Sequence, residues 1–110
     1  MSAADAAQTD TEVSQSLIKR VYYAARDGMA IVLYGLLSDK SPEQIDYLIN
    51  QKVLENGQRC TSLIVAARYG HDRVVKMLID KFKPDLEQEG TVKFDGYVID
   101  GASALWCAAE

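Results

Sequence analysis

The 110 residues carry 12 Lys and Arg against 16 Asp and Glu, a formal charge of −4, which argues against a nucleic-acid or anionic-membrane surface because either needs clustered cations. Two cysteines and one histidine are too few to assemble a zinc site, and without a Cys-x-x-Cys spacing both thiols read as small buried hydrophobes in a reducing compartment. The length suits one domain or part of one, and an ordinary apolar content of 48% lets such a chain bury a core without metal, cofactor or disulfide.

Met1 is followed by Ser-Ala-Ala-Asp rather than by basic residues and an apolar run, so no secretory leader is read. Residues 1–10 have no apolar period and are expected to form a disordered lead-in. From Thr11 a helical period begins. Val13, Leu17, Val21 and Ala24 or Ala25 line one face, widened by Ile18 and Tyr22, and Asp27-Gly28 ends the helix. A second helix is expected over Met29–Ser38, with Ile31, Val32, Leu36 and Leu37 as its apolar side. That uncharged run is the longest in the chain and has about half the length needed to cross a bilayer. A soluble protein of the cytoplasm, with the nucleus as a second compartment and no membrane partner, is the expectation.

A short helix follows Ser41-Pro42, an N-cap with proline at the first helical position; Ile45, Leu48 and Ile49 are apolar, and Asn56-Gly57 is a turn. Cys60 to Ile79 then reads as two helices around a Gly-His turn. Thr61 caps the first, whose slim apolar face is Leu63, Ala66 and Ala67, and Gly70 ends it. The second carries Val74, Val75, Leu78 and Ile79, an Asp72–Lys76 pair at the favourable spacing, Lys81 and Lys83 near its C-terminus, and a stop at Pro84. This pattern, Thr-x-Leu-x-x-Ala-Ala-x-x-Gly-His and then Val-Val-x-x-Leu-Ile, resembles an ankyrin repeat, with Ser62 and Ile64 where proline and histidine are usual.

The unit recurs. Ala24-Ala25-Arg26-Asp27-Gly28 matches Ala66-Ala67-Arg68-Tyr69-Gly70 at a separation of 42 residues, and the same step carries Ala66-Ala67 onto Ala108-Ala109. Ankyrin repeats recur at about 33 residues, so each interval holds an insertion. The expected organisation is an all-α solenoid of helical hairpins: units at about 11–38, 60–81 and 101–110, a helical insertion over 41–54, and one long β-hairpin over 90–99. The hairpin is read from Thr91–Phe94 and Tyr97–Ile99 flanking Asp95-Gly96. Because the third unit stops inside its first helix, the sequence is expected to be an N-terminal piece of a longer solenoid.

The run from Gly90 to Ala109, together with Ile45–Ile49 and the Ala66–His71 turn, resembles the Fem (feminization) family of ankyrin proteins. The resemblance implies a substrate receptor of cullin-2 ubiquitin ligases. Such receptors read degrons at the C-terminal ends of substrates, often ending in arginine, and hold elongin and cullin-2 through a later segment. It also places Asp95 where a hairpin carboxylate pairs with a terminal guanidinium, although Asp-Gly turn chemistry alone accounts for that residue. Tyr97 and Trp106 each offer a flat face and a polar tip to a peptide, and either can equally be core; Phe94 is expected to pack within the hairpin. Glu87, Glu89 and Asp100 read as a solvated acidic face that also steers a basic chain end, and Asp100-Gly101 as the repeat turn. His71 reads as part of the repeat turn, since no nucleophile or second histidine stands at usable spacing. The runner-up reading is a general ankyrin scaffold with no ubiquitin link; an enzyme lacks a nucleophile, metal cluster or phosphate loop.

Overall fold

The computed structural model describes the backbone of residues 3–109 and the side chains of residues 15–109. Among these residues the chain runs α1 (Ala3–Arg26), α2 (Ala30–Leu37), α3 (Pro42–Asn50), β1 (Val53–Glu55), β2 (Gln58–Cys60), α4 (Ser62–Arg68), α5 (Asp72–Phe82), β3 (Glu89–Phe94), β4 (Tyr97–Ser103) and α6 (Ala104–Ala109). The inner helices α1, α4 and α6 pack in a row, and α2 and α5 pack side by side behind them.

The repeat is visible in its turns. Met29 N–H donates to the Ala24 carbonyl at 2.8 Å, and His71 N–H makes the same bond to Ala66 at 2.9 Å. At each turn a glycine with positive φ, Gly28 or Gly70, takes the left-handed position. The two turns are also stapled together: His71 Nε2 lies 2.7 Å from the Arg26 carbonyl oxygen. A carbonyl only accepts, so Nε2 carries the proton. A Cβ on Gly28 would run into that imidazole, so the first turn needs glycine for space as well as for its φ of 75°.

Helix α4 is the centre of the stack. Thr61 Oγ1 accepts from Ile64 N–H at 3.2 Å, the cap read from sequence. Ser62 through Ala67 are all buried, so the slim apolar face expected of this helix is corrected: α1, α5, α6 and strands β2 and β3 cover it all round. Buried side chains of the size of Leu63, Ile64 and Val65 stabilise by about 1.5–3 kcal/mol each. Ala66 and Ala67 allow the neighbouring helices to approach.

Three expectations about the first unit change. Helix α1 begins at Ala3, inside the stretch read as a disordered lead-in; alanine-rich sequence extends a nucleated helix without needing an apolar face. Leu17, Ile18, Val21, Tyr22, Ala24 and Ala25 are buried as read, while the Val13 side chain lies outside the described residues. In α2 the buried pair is Leu33 and Leu37, whereas Ile31 is 87% and Val32 46% exposed. Its main packing partners are α1 and α5, and Val32 stays uncovered although its counterpart Val74 is buried. The expected Asp72–Lys76 pair is not formed; the ion pairs among the described residues join Arg26 to Asp27 and Glu55, and Lys40 to Asp39.

The insertion helix α3 starts at a full capping box: Ser41 Oγ accepts from Gln44 N–H at 3.2 Å, and Ser41 N–H donates to Gln44 Oε1 at 3.0 Å. At the other end of the second unit, Lys83 closes α5 in the left-handed region just before Pro84. The all-α expectation needs a larger correction, because a second hairpin joins the long one. β1 and β2 pair around Asn56-Gly57, and the four strands form one antiparallel sheet in the order β1-β2-β3-β4. Both hairpins use the same turn, with positive φ at both central residues: Asn56 and Gly57, then Asp95 and Gly96. The hairpins meet where Arg59 pairs with Thr91. A side chain on Gly90 would collide with the Arg59 carbonyl, so that glycine lets β2 and β3 close. The long hairpin spans 89–103 rather than 90–99. Asp100 and Gly101, expected as a repeat turn, lie within β4 beside a register shift, where Thr91 Oγ1 donates to Asp100 Oδ1 at 2.8 Å.

Replacing Ile64 with alanine should cost about 2–5 kcal/mol in denaturant unfolding, and Ile31→Ala should stay within about 0.5 kcal/mol. Burial pushes the Cys60 thiol up to about 12 from an ordinary 9.0. The neutral thiol is therefore favoured in the fold. Its contribution is complete below about pH 9 and is lost as pH rises towards about 12. The denaturant midpoint should fall across that window, and fall less steeply in Cys60→Ala.

Candidate recognition site at the long hairpin

Arg68 ends α4 and leaves the buried core at the root of the hairpin. Its Nε donates to the Lys93 carbonyl at 2.7 Å, and its guanidinium lies 3.8 Å from the Phe94 ring centroid and 4.9 Å from that of Tyr69. The other backbone group of Lys93 is held as well. Gln58 Oε1 accepts from Lys93 N–H at 3.0 Å, while Gln58 Nε2 donates to the Tyr69 hydroxyl at 3.0 Å. Gln58 is buried, so both ends of its amide are satisfied where an unpaired amide would be costly. The hairpin is thus pinned at Lys93 by one side chain from β2 and one from α4.

Beyond that pin the side chains turn aromatic. Phe94 meets Trp106 edge to face at 5.6 Å, and Tyr97 stands directly opposite Phe94 in the strand register, which puts their side chains on one face. Trp106 is half-buried at the third position of α6, where its backbone N–H donates to Ser103 Oγ at 3.1 Å. Tyr97 is 74% exposed. Phe94, expected to pack within the hairpin, lies opposite Tyr97 there and also meets Trp106, so it links the hairpin to α6.

Asp95 sits at the hairpin tip with φ 52°, and its exposed carboxylate has no hydrogen-bond partner among the described residues. Asn56 holds the same position in the first hairpin with φ 54°. The turn therefore asks for an Asn/Asp-type residue and does not ask for the charge. Glu87, Glu89 and Asp100 are exposed, and Asp100 is engaged with Thr91.

A comparison between the two units gives Arg68 its significance. Arg26, at the equivalent place, is ion-paired to Asp27 at 2.9 Å and to Glu55, the last residue before the Asn-Gly turn. The Arg26 hydrogen bond holds the Asp27 carboxyl below its usual range. In the second unit Tyr69 replaces Asp27, and Phe94, the last residue before the Asp-Gly turn, replaces Glu55. Two carboxylates have become two rings. Arg68 and Gln58 were not singled out from sequence; the only available signal was the repeat alignment of Arg68 with Arg26.

Among the described residues, no group of three or more His, Cys, Asp or Glu is placed to hold a metal ion, and no helix is long and apolar enough to cross a membrane.

Comparison with known proteins identifies the architecture. Residues 58–89 match the family described as Ankyrin repeat. A fem-1 homolog of Drosophila melanogaster is 42% identical over 89 residues, which is 81% of this chain and 13% of the relative. Fem-1 homolog C of Homo sapiens is 44% identical over 80 residues, 73% of this chain and 12% of the relative. Human fem-1 homolog A is 46% identical over 76 residues, 69% of this chain and 11% of the relative. The chain thus spans a small part of the length of these relatives. Paired turns, capped inner helices and this identity agree: the chain belongs to the Fem family of ankyrin-repeat proteins and is built on stacked helical hairpins.

Proposed function

We propose that the chain supplies part of a substrate-recognition surface for the C-terminal ends of proteins, in a receptor that works with elongin and cullin-2 to direct ubiquitination and degradation. Asp95, Tyr97 and Trp106 are the residues assigned to the peptide. The observation that carries this reading is the Asp95 carboxylate, exposed at a hairpin tip whose turn would be served equally by asparagine, one residue from the Phe94 ring edge. A carboxylate without a partner can accept a guanidinium in bidentate fashion, so a peptide ending in arginine is the ligand that fits best. The rings of Tyr97 and Trp106 then receive its aliphatic stem. On this reading the chain binds and does not catalyse, and it acts in the cytoplasm, with the nucleus as a second compartment.

A scaffold reading with no ubiquitin link rests on a different surface. Met29, Ile31, Val32 and Tyr34 leave α2 with an exposed apolar side, of a kind that can meet a folded partner.

Trp106 is the only tryptophan, so its emission reports on the site. Titrating the full chain with a short peptide ending in arginine should change that emission saturably, and extending the peptide past the arginine should weaken binding. Asp95→Asn keeps the turn and should cost about 1.5–3 kcal/mol of affinity, the scale of a hydrogen bond to a charged group. Equal binding of terminal and internal arginine would instead favour the scaffold reading.

A further inference from the structure

We infer that Arg68 is the group that reads the carboxylate at the end of a bound peptide, an assignment that rests on the chain-end reading above. The two units provide the argument. Arg26 has its positive charge matched by Asp27 and Glu55, whereas Arg68, in the equivalent place, faces Tyr69 and Phe94. Rings attract a cation through their faces and leave its edge donors free. A guanidinium has five N–H donors; Arg68 Nε is given to the Lys93 carbonyl, and no ion pair to Arg68 is formed among the described residues. The remaining donors form a planar fork that matches a carboxylate.

Geometry prepares that fork for a ligand. The Lys93 hydrogen bond and the Phe94 ring fix the guanidinium plane, so little side-chain freedom is lost on binding. The same ring is in contact with Trp106 and lies opposite Tyr97, which puts the unmatched cation on the aromatic edge assigned to the peptide. Asp95 follows Phe94 directly in the chain. A terminal arginine carries both a guanidinium and a carboxylate, and this edge presents one group of each opposite sign.

The test compares one peptide ending in arginine as its free acid, as its C-terminal amide, and as the amide with an aspartate introduced before the arginine. Each is titrated into the full chain as wild type, Arg68→Gln and Arg68→Lys. Wild type should prefer the free acid over the amide about tenfold, the scale of a charge-assisted hydrogen bond. Arg68→Gln should bring that ratio to about one, and Arg68→Lys, which keeps charge without the fork, should fall between. The ratio is insensitive to a general loosening of the hairpin, which weakens both peptides together. A ratio unchanged in Arg68→Gln overturns the assignment and leaves the chain-end reading standing. An aspartate-bearing amide that binds as tightly as the free acid overturns it in favour of a side-chain carboxylate. Failure of the wild type to bind any of the three, or to tell acid from amide, overturns both.

Discussion

The C-terminal turn of α4 and the side chain of Gln58 decide where the long hairpin points. A hairpin of two strands is marginal in water, and β3–β4 would swing freely if it were tied to the helices only through its ends. Gln58 takes the Lys93 N–H, Arg68 takes the Lys93 carbonyl, and Gly90 lets β2 close on β3. These contacts depend on α4 being immobile. That follows from its burial on every side between α1, α5, α6 and the strands. The chain of cause runs from small and aliphatic side chains in one short helix to the position of an aromatic edge outside the core.

The two units keep one frame and differ in a local cluster. Their turns make the same hydrogen bonds, and His71 staples one to the other through the Arg26 carbonyl. Their hairpins use the same left-handed pair of turn residues. What differs is the company of one arginine. Carboxylates around Arg26 make a closed ionic cluster with little left to offer a ligand, and a partly exposed pair of that kind adds only modestly to stability. Rings around Arg68 hold the charge in place without cancelling it.

Much of this was legible in the sequence because it follows from local rules. Thr61 and Ser41 as caps, Gly28 and Gly70 as helix ends, and Asp95-Gly96 as a hairpin turn all express backbone preferences of single residues. The apolar period of α1 survived for the same reason. The misses share a cause. Val53–Glu55 and Gln58–Cys60 flank Asn56-Gly57, which is itself a hairpin signal, but each strand is only three residues long and, apart from Val53, poor in β-formers, and its sheet is completed by a hairpin some thirty residues away. Ile31 and Val32 look like core on a helical wheel, but α2 packs mainly on α1 and α5 and leaves both exposed. At the site, Asp95 was singled out by the family resemblance, and Tyr97 and Trp106 by their flat faces and polar tips. The roles of Arg68, Gln58 and Phe94 depend on contacts across the fold.

The pin at Lys93 can be measured directly through the exchange of its backbone amide with deuterium. That N–H is bonded to the Gln58 side chain rather than to a neighbouring strand. If the hairpin is fixed as described, the Lys93 amide should exchange as slowly as those of the buried helix α4, which open only with the global fold. An amide at Lys93 that exchanges at the rate of an open chain, while α4 remains protected, would contradict the account.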